Sequence, residues 1–316
     1  LCGGCDYQML QYDSQIEIKK QLVIETFLRM AKIDIINILQ VIKSPEKFYY
    51  RNTETFKVHP KLKKIGFFRK DTKSIIDINQ CKIAMNGINE ALKSVKNQTE
   101  FPPHNFKVRT TNNGETTVHW IKSEYDDKDV YETIKTKDRE IKFKISKDSF
   151  FQTNNYVIPL WLDKIVSFLS SDKNERIFDL YCGIGLITLF VSFYAKETIG
   201  VEISKSSIND ANHNIKINNI DTNVKFIESP VEDIIDTLGF ADVMIIDPPR
   251  KGMDEKTINV LLNMLPNKII YSSCKVQTMA RDIEILSSKY TLQEIVLVDM
   301  FPQTHHVEML SLLVKR

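Results

Sequence analysis

I-F-D-L-Y-C-G-I-G, residues 177–185, runs from an apolar strand straight into a turn carrying Gly183 and Gly185. Glycines there let backbone amides come close to a ligand at the end of a strand. The next apolar segment, T-I-G-V-E (198–202), ends in Glu202, about twenty residues further on, where a carboxylate can accept hydrogen bonds from a ribose diol. A G-x-G turn alone also fits an ordinary loop. Moving outward, V-K-F-I-E (224–228), A-D-V-M-I-I-D (241–247), K-I-I-Y-S-S (268–273), Q-E-I-V-L-V-D (293–299) and H-V-E-M-L-S-L-L-V (306–314) read as further strands. The first five of the seven are spaced widely enough for crossover helices, which predicts a doubly wound, mostly parallel α/β sheet. The last two are too close for a crossover and pair antiparallel.

Three segments at the carboxyl ends of these strands carry reactive groups. D-P-P-R (247–250) closes the fourth strand, and its two prolines form a stiff loop that turns Asp247 and Arg250 toward the cleft. Cys274 closes the fifth strand beside Lys275 and near a helix start, both of which lower a thiol pKa. A buried structural cysteine is the plain alternative. Glu308 opens the last strand after His305 and His306, two of the six histidines, and a carboxylate beside a thiol is a candidate base. H-H-V-E also reads as half a metal site, but no third ligand lies at a suitable spacing.

The amino-terminal half has a different texture. The net charge of +2 conceals 27 Lys+Arg against 20 Asp+Glu in residues 1–150 and 16 against 21 in residues 151–316. Residues 43–82 hold 11 basic against 4 acidic residues, interleaved with Phe48, Tyr49, Tyr50, Phe56, Phe67 and Phe68. Cations for phosphates beside rings for bases suit an RNA surface. A sheet with aromatics inside and lysines outside has the same pattern. Residues 7–32 read as an amphipathic helix, and residues 48–150 as a small β-rich or α+β region of short alternating segments. The expected domains are therefore 1–42, 43–150 and 151–316. No apolar run approaches the roughly 18 residues of a membrane span, and there is no signal peptide. Five scattered cysteines argue against a disulfide framework, so a cytoplasmic chain is expected. Cys2 and Cys5, in L-C-G-G-C, have the spacing of metal or cluster ligands, although a closed site needs four.

The sheet rhythm, the terminal strand pair and a G-x-G lacking the third glycine of a dinucleotide fingerprint resemble the S-adenosylmethionine-dependent methyltransferases. With F-F-Q-T-N (150–154), D-P-P-R-K-G (247–252), Y-S-S-C (271–274) and D-M-F-P-Q-T-H-H-V-E (299–308) added, the chain resembles the RNA uracil-5-methyltransferases of 23S rRNA and tRNA over almost its whole length. The resemblance implies a class I sheet in which Gln152, Tyr181, Glu202 and Asp247 line the S-adenosylmethionine site. It makes Cys274 the nucleophile that adds to carbon 6 of a uridine flipped from an RNA loop, and Glu308 the base that removes the carbon 5 proton.

It further implies a four-iron four-sulfur cluster in some members, with a cysteine six positions before the C-G-G-C pair and another far downstream. Cys2, Cys5 and Cys81 match three of those ligands, and the fourth falls before residue 1, so a truncated chain with an incomplete site is expected. The motif favours rRNA over tRNA as the target. A cluster remote from Cys274 is expected to be structural or RNA-positioning. The family usually has Asn-Pro after its catalytic cysteine, whereas this chain has Lys275 and Val276. The alternatives are therefore a tRNA enzyme or an RNA-binding relative with impaired turnover. An amino-directed methyltransferase is disfavoured, because Arg250 stands where such enzymes carry an aromatic residue. A monomer is expected.

Overall fold

The structure, a computed structural model, describes residues 2–121, 128–170, 173–220 and 223–316. Helix α1 (Tyr12–Met30) buries Ile16, Val23 and Phe27, whose spacings of seven and four place them on one face. It begins later than the expected residue 7, because Leu10 already closes a turn on Tyr7. Strand β1 (Leu39–Ile42) follows.

A five-stranded antiparallel sheet comes next, formed by β2 (Thr53–His59), β3 (Lys64–Phe68), β4 (Ile75–Asp77), β5 (Phe106–Thr110) and β6 (Thr116–Trp120) in the order β4-β3-β2-β5-β6. Helix α2 (Asn86–Lys96) covers one face, and Phe56, Ile65, Ile88, Leu92, Phe106 and Val108 form their shared core. The alternating segments of the sequence thus become strands, and alternate side chains are buried along β6 and the first half of β2.

Among the described residues, the hairpin β7 (Val130–Lys135) and β8 (Glu140–Ile145) pairs only with itself. Its Ile134, Ile141 and Phe143 enter the core of the large sheet with Trp161 of α3 (Ile158–Ser167). Residues up to 150 were expected to belong with the small basic domain, but this stretch packs on the opposite side of that boundary.

The large sheet contains β9 (Arg176–Leu180), β10 (Glu197–Glu202), β11 (Val224–Glu228), β12 (Val243–Ile246), β13 (Lys268–Ser273), β14 (Tyr290–Val298) and β15 (Glu308–Lys315). Between them lie α4 (Leu186–Val191), α5 (Lys205–Ile217), α6 (Val231–Ile234), α7 (Glu255–Met264) and α8 (Val276–Leu286). All seven expected strands are present, and the final pair β14–β15 is antiparallel. An eighth strand was not expected: β1 adds in parallel to β14 at the sheet edge, giving the order β1-β14-β15-β13-β12-β9-β10-β11. Val23 and Phe27 of α1 share a core with Met279 and Ile283 of α8, so the first 42 residues lie against the large sheet. The seam is closed by Lys19 and Asp299, both buried and 2.6 Å apart, with the Tyr12 hydroxyl donating to Asp299 at 2.7 Å.

Side chains of α5 protect the edge of β8. The backbone amides of Lys142, Lys144 and Ser146 donate to Asn218, Asn214 and Asp210 at 2.7–2.8 Å. Amides that would otherwise seek another strand are satisfied within the molecule. Among the described residues no helix is long and apolar enough to cross a membrane.

Candidate active site

Parallel register brings the ends of β9 and β12 together, with Leu180 opposite Ile246, so Tyr181 and Asp247 emerge side by side. The turn between β9 and α4 takes Tyr181, Gly183 and Gly185 to φ values of 65°, 55° and 81°. Gly185 permits no substitute, because a Cβ there would sit 2.6 Å from the Phe226 ring. A Cβ on Gly183 would meet nothing within 4 Å, so that part of the turn faces open space. The pocket it borders is lined by Gln152, Tyr181, Gly183 and Asp247 together with Phe150, Phe151 and Trp161. Three of the four expected cofactor residues therefore meet in one place. Glu202 is not on this lining; it ends β10 and its carboxylate accepts from the amides of Gly183, at 3.1 Å, and Ser204, at 2.8 Å. Cys182 is buried and bonded into the sheet through its amide, which donates to Val201.

Asp247 links this pocket to a second group of residues. Gln152 Nε2 lies 3.5 Å from Asp247 Oδ2 on one side. On the other, β13 and β15 run antiparallel with Ser273 opposite Met309, which sets Cys274 and Glu308 at adjoining positions just beyond that pair. Ser272 precedes Cys274 by two residues, shares its face of the strand, and donates from Oγ to Glu308 Oε1 at 2.9 Å. Burial, with the charge of Asp247 added, pushes Glu308 well above the usual carboxylate range. Burial likewise lifts Asp247 to about 6, against the Ser272 hydroxyl, which lowers it. A carboxylate with raised proton affinity is a stronger acceptor once ionised.

The environment of Cys274 departs from expectation. Lys275 and the helix start were expected to depress the thiol pKa, yet burial raises it and the nearby charge of Glu308 adds to the rise. The opposing influence comes from the nearby Arg250 guanidinium, which favours the thiolate. Lys275 is exposed and caps α8 only through its backbone. Arg250, Cys274, Lys275, His305 and His306 line a cleft of about 210 Å³. Arg250 as the thiolate partner and Ser272 as the Glu308 partner were the two roles missed. The D-P-P-R loop pointed to the first, and the i, i+2 spacing in Y-S-S-C would have shown the second.

Cys2, Cys5 and Cys81 do come together, as free thiols on a cavity of about 460 Å³ also lined by Arg51, Lys57, Arg69, Lys70 and His305. Among the described residues, however, no group of three or more His, Cys, Asp or Glu is arranged to hold a metal ion. Burial, reinforced by neighbouring thiols, pushes Cys5 up to about 12, and burial beside Glu54 takes Cys81 to about 11. The raised proton affinity of Cys5 and Cys81 works against the deprotonated thiolates that a cluster requires. The cavity of the cysteine segment and the Cys274 cleft share His305 as a lining residue. Asp6 ties them together: it pairs with Lys70 at 2.6 Å and with His305, and the amides of Asp6 and Tyr7 donate to the Gln303 carbonyl at 3.0 Å. Partial burial would raise the Asp6 carboxyl, but Lys70 and His305 hold it at about 2.

Residues 104–316 match the family described as tRNA (Uracil-5-)-methyltransferase. A protein of Staphylococcus aureus (strain N315) named as an uncharacterized RNA methyltransferase is 32% identical over 98% of this chain and 82% of its own length. This chain belongs to the RNA uracil-5-methyltransferase family. A similarly named protein of Bacillus cereus (strain ATCC 14579) is 29% identical over 97% of the chain and 80% of its own length. Among solved structures, the Pyrococcus abyssi tRNA (uracil-54, C5)-methyltransferase, in complex with S-adenosyl-L-homocysteine, superposes with a TM-score of 0.80 at 24% identity. That match covers 99% of this chain and 86% of the other, and it shows the class I methyltransferase fold. As a member of this family the chain is an RNA methyltransferase, and the five motifs that carried the resemblance all lie at the carboxyl edge of its sheet or on the loops that reach it.

Proposed function

We propose that the protein methylates carbon 5 of a uridine in RNA, using Cys274 as nucleophile and Glu308 as proton acceptor. The observation that carries this reading is the convergence of a thiol and an arginine in one cleft with a buried carboxyl beside the thiol, joined through Asp247 to the glycine-turn pocket. Gln152, Tyr181 and Asp247 line the site for S-adenosyl-L-methionine, with Glu202 holding the glycine turn. Bound there, it would supply an electrophilic methyl group for carbon 5.

Carbon 5 of uracil is a weak nucleophile until a thiolate adds to carbon 6 and turns the ring into an enolate. Arg250 favours the thiolate of Cys274 for that addition. After methylation, Glu308 accepts the carbon 5 proton, the electron pair of that bond restores the double bond, and the Cys274 sulfur leaves as thiolate. The ring cannot remain stacked while a thiol reaches its carbon 6, so the target uridine is flipped out. The exposed cations and rings of residues 43–82 hold the surrounding RNA, and His306, pushed down to about 4 by burial and by the charges of His305 and Arg250, stays neutral beside it.

The expected target is 23S rRNA, on the strength of the C-G-G-C resemblance. A tRNA target is the second reading, favoured by the family description and by the substrate of the Pyrococcus relative. Purified protein incubated with methyl-labelled S-adenosylmethionine and separate rRNA and tRNA pools will place label in 5-methyluridine after nuclease digestion, and Cys274→Ala will abolish it while remaining folded. Unchanged labelling by Cys274→Ala would rule out the nucleophile. Label in tRNA alone would replace the rRNA reading, and RNA binding without transfer would favour an RNA-binding relative.

A further inference from the structure

The hydroxyl of Ser272 has no part in the steps above, yet it occupies the centre of the carboxyl group cluster. Ser272 is 1% exposed and Glu308 2% exposed, and among the described residues no other side chain donates to the Glu308 carboxylate. Asp247 approaches the same hydroxyl from the adjacent strand, where Ile246 lies opposite Tyr271, the residue before Ser272. Two carboxyl groups that repel each other therefore flank one small donor, which bonds to Glu308. A serine hydroxyl has one proton to give and lone pairs to accept with, and it rotates freely about its C–O bond. A buried carboxylate without its donor would carry an uncompensated desolvation cost.

We infer that Ser272 is the positioning residue for proton removal: its hydroxyl donates to Glu308 while that carboxylate waits for the uridine proton, and turns to Asp247 once Glu308 has received it. The proton on carbon 5 ends on Glu308, the bond it leaves closes the ring double bond, and the serine proton only changes direction. This rests on the reading of Glu308 as the acceptor. Consistent with it, the same hydroxyl lowers the proton affinity of both carboxyl groups, against the burial that raises them.

Ser272→Thr retains the hydroxyl, and Ser272→Val is its equal in shape without one. Each is compared with wild type for kcat and KM on RNA between pH 5 and 9, alongside thermal unfolding. Wild-type transfer in the same assay tests the functional reading separately, so a Ser272 result bears on this inference alone. Loss of a hydrogen bond to a charged group predicts a fall in kcat of about 10-fold or more for Ser272→Val, with KM for RNA unchanged. The acid limb of its kcat profile moves up by about one pH unit, because an acceptor without its donor holds a proton more tightly. Protein–RNA adduct accumulates, since elimination waits for proton removal, and Ser272→Thr recovers all three properties. A Ser272→Val enzyme with the wild-type pH limb and no adduct build-up would overturn the inference, as would a Ser272→Thr enzyme indistinguishable from Ser272→Val.

Discussion

At the scale of single residues, the site is governed by what burial does to ionisable groups. Burial lifts the Cys274 thiol and Arg250 partly offsets it, so the guanidinium is the group that favours the thiolate form. Arg250→Met is expected to lower transfer at pH 7 by about tenfold and to move the alkaline rise of activity upward by about one unit, read from a pH–rate profile. Asp179 offers a stability test whose sign is fixed. Burial raises its carboxyl to about 7, with Thr188 donating to it, so the folded state holds a proton that the unfolded chain releases near pH 4. Stability is therefore present at low pH and declines as pH rises between about 4 and 7. Asp179→Asn should remove that decline, on the order of 3 kcal/mol, when urea unfolding at pH 5 and pH 7.5 is compared. Cys274 and Glu308 were legible in the sequence because each is the only such residue type in its short motif. The placing of Arg250 and the thiol in one cleft was not, because it joins two loops and is set by the register of β12 against β13.

At the scale of elements, the large sheet was readable because parallel strands buried on both faces leave continuous apolar runs. Strand β1 escaped notice because four residues, L-Q-V-I, give too short a signal, and only its pairing with β14 makes it a strand. Helix α1 was visible, but the surface it covers was not, since apolar periodicity tells which face is buried and not against what. Its attachment rests partly on Lys19 and Asp299, a pair with both charges buried. Asp299→Ala should cost about 3–5 kcal/mol by stranding Lys19. The double variant Lys19→Met with Asp299→Leu should recover most of that loss, and denaturant titrations of both will check the contrast.

At the scale of the whole molecule, the amino-terminal cysteine segment acts as a strap from β3 of the small sheet to the loop that leads into Glu308. Such a tie between residues 6, 70 and 305 left no trace in local pattern, whereas the charge imbalance of residues 43–82 was plain. Lys61 and Lys63, on the β2–β3 turn of that region, and Lys64, at the start of β3, are exposed. Replacing all three by alanine should flatten the dependence of log RNA affinity on log salt by up to about three, with unfolding unchanged. In the proposed mechanism a cysteine at the end of β13 bonds covalently to the uridine it helps to methylate. RNA substituted with 5-fluorouridine tests it most directly, because fluorine cannot be removed as a proton and the intermediate has no exit. With S-adenosylmethionine present, digestion and mass spectrometry should find methylated fluorouridine attached to Cys274 in the peptide that contains Y-S-S-C. Active enzyme that methylates normal RNA yet forms no such adduct, or forms it at another residue, would contradict the account.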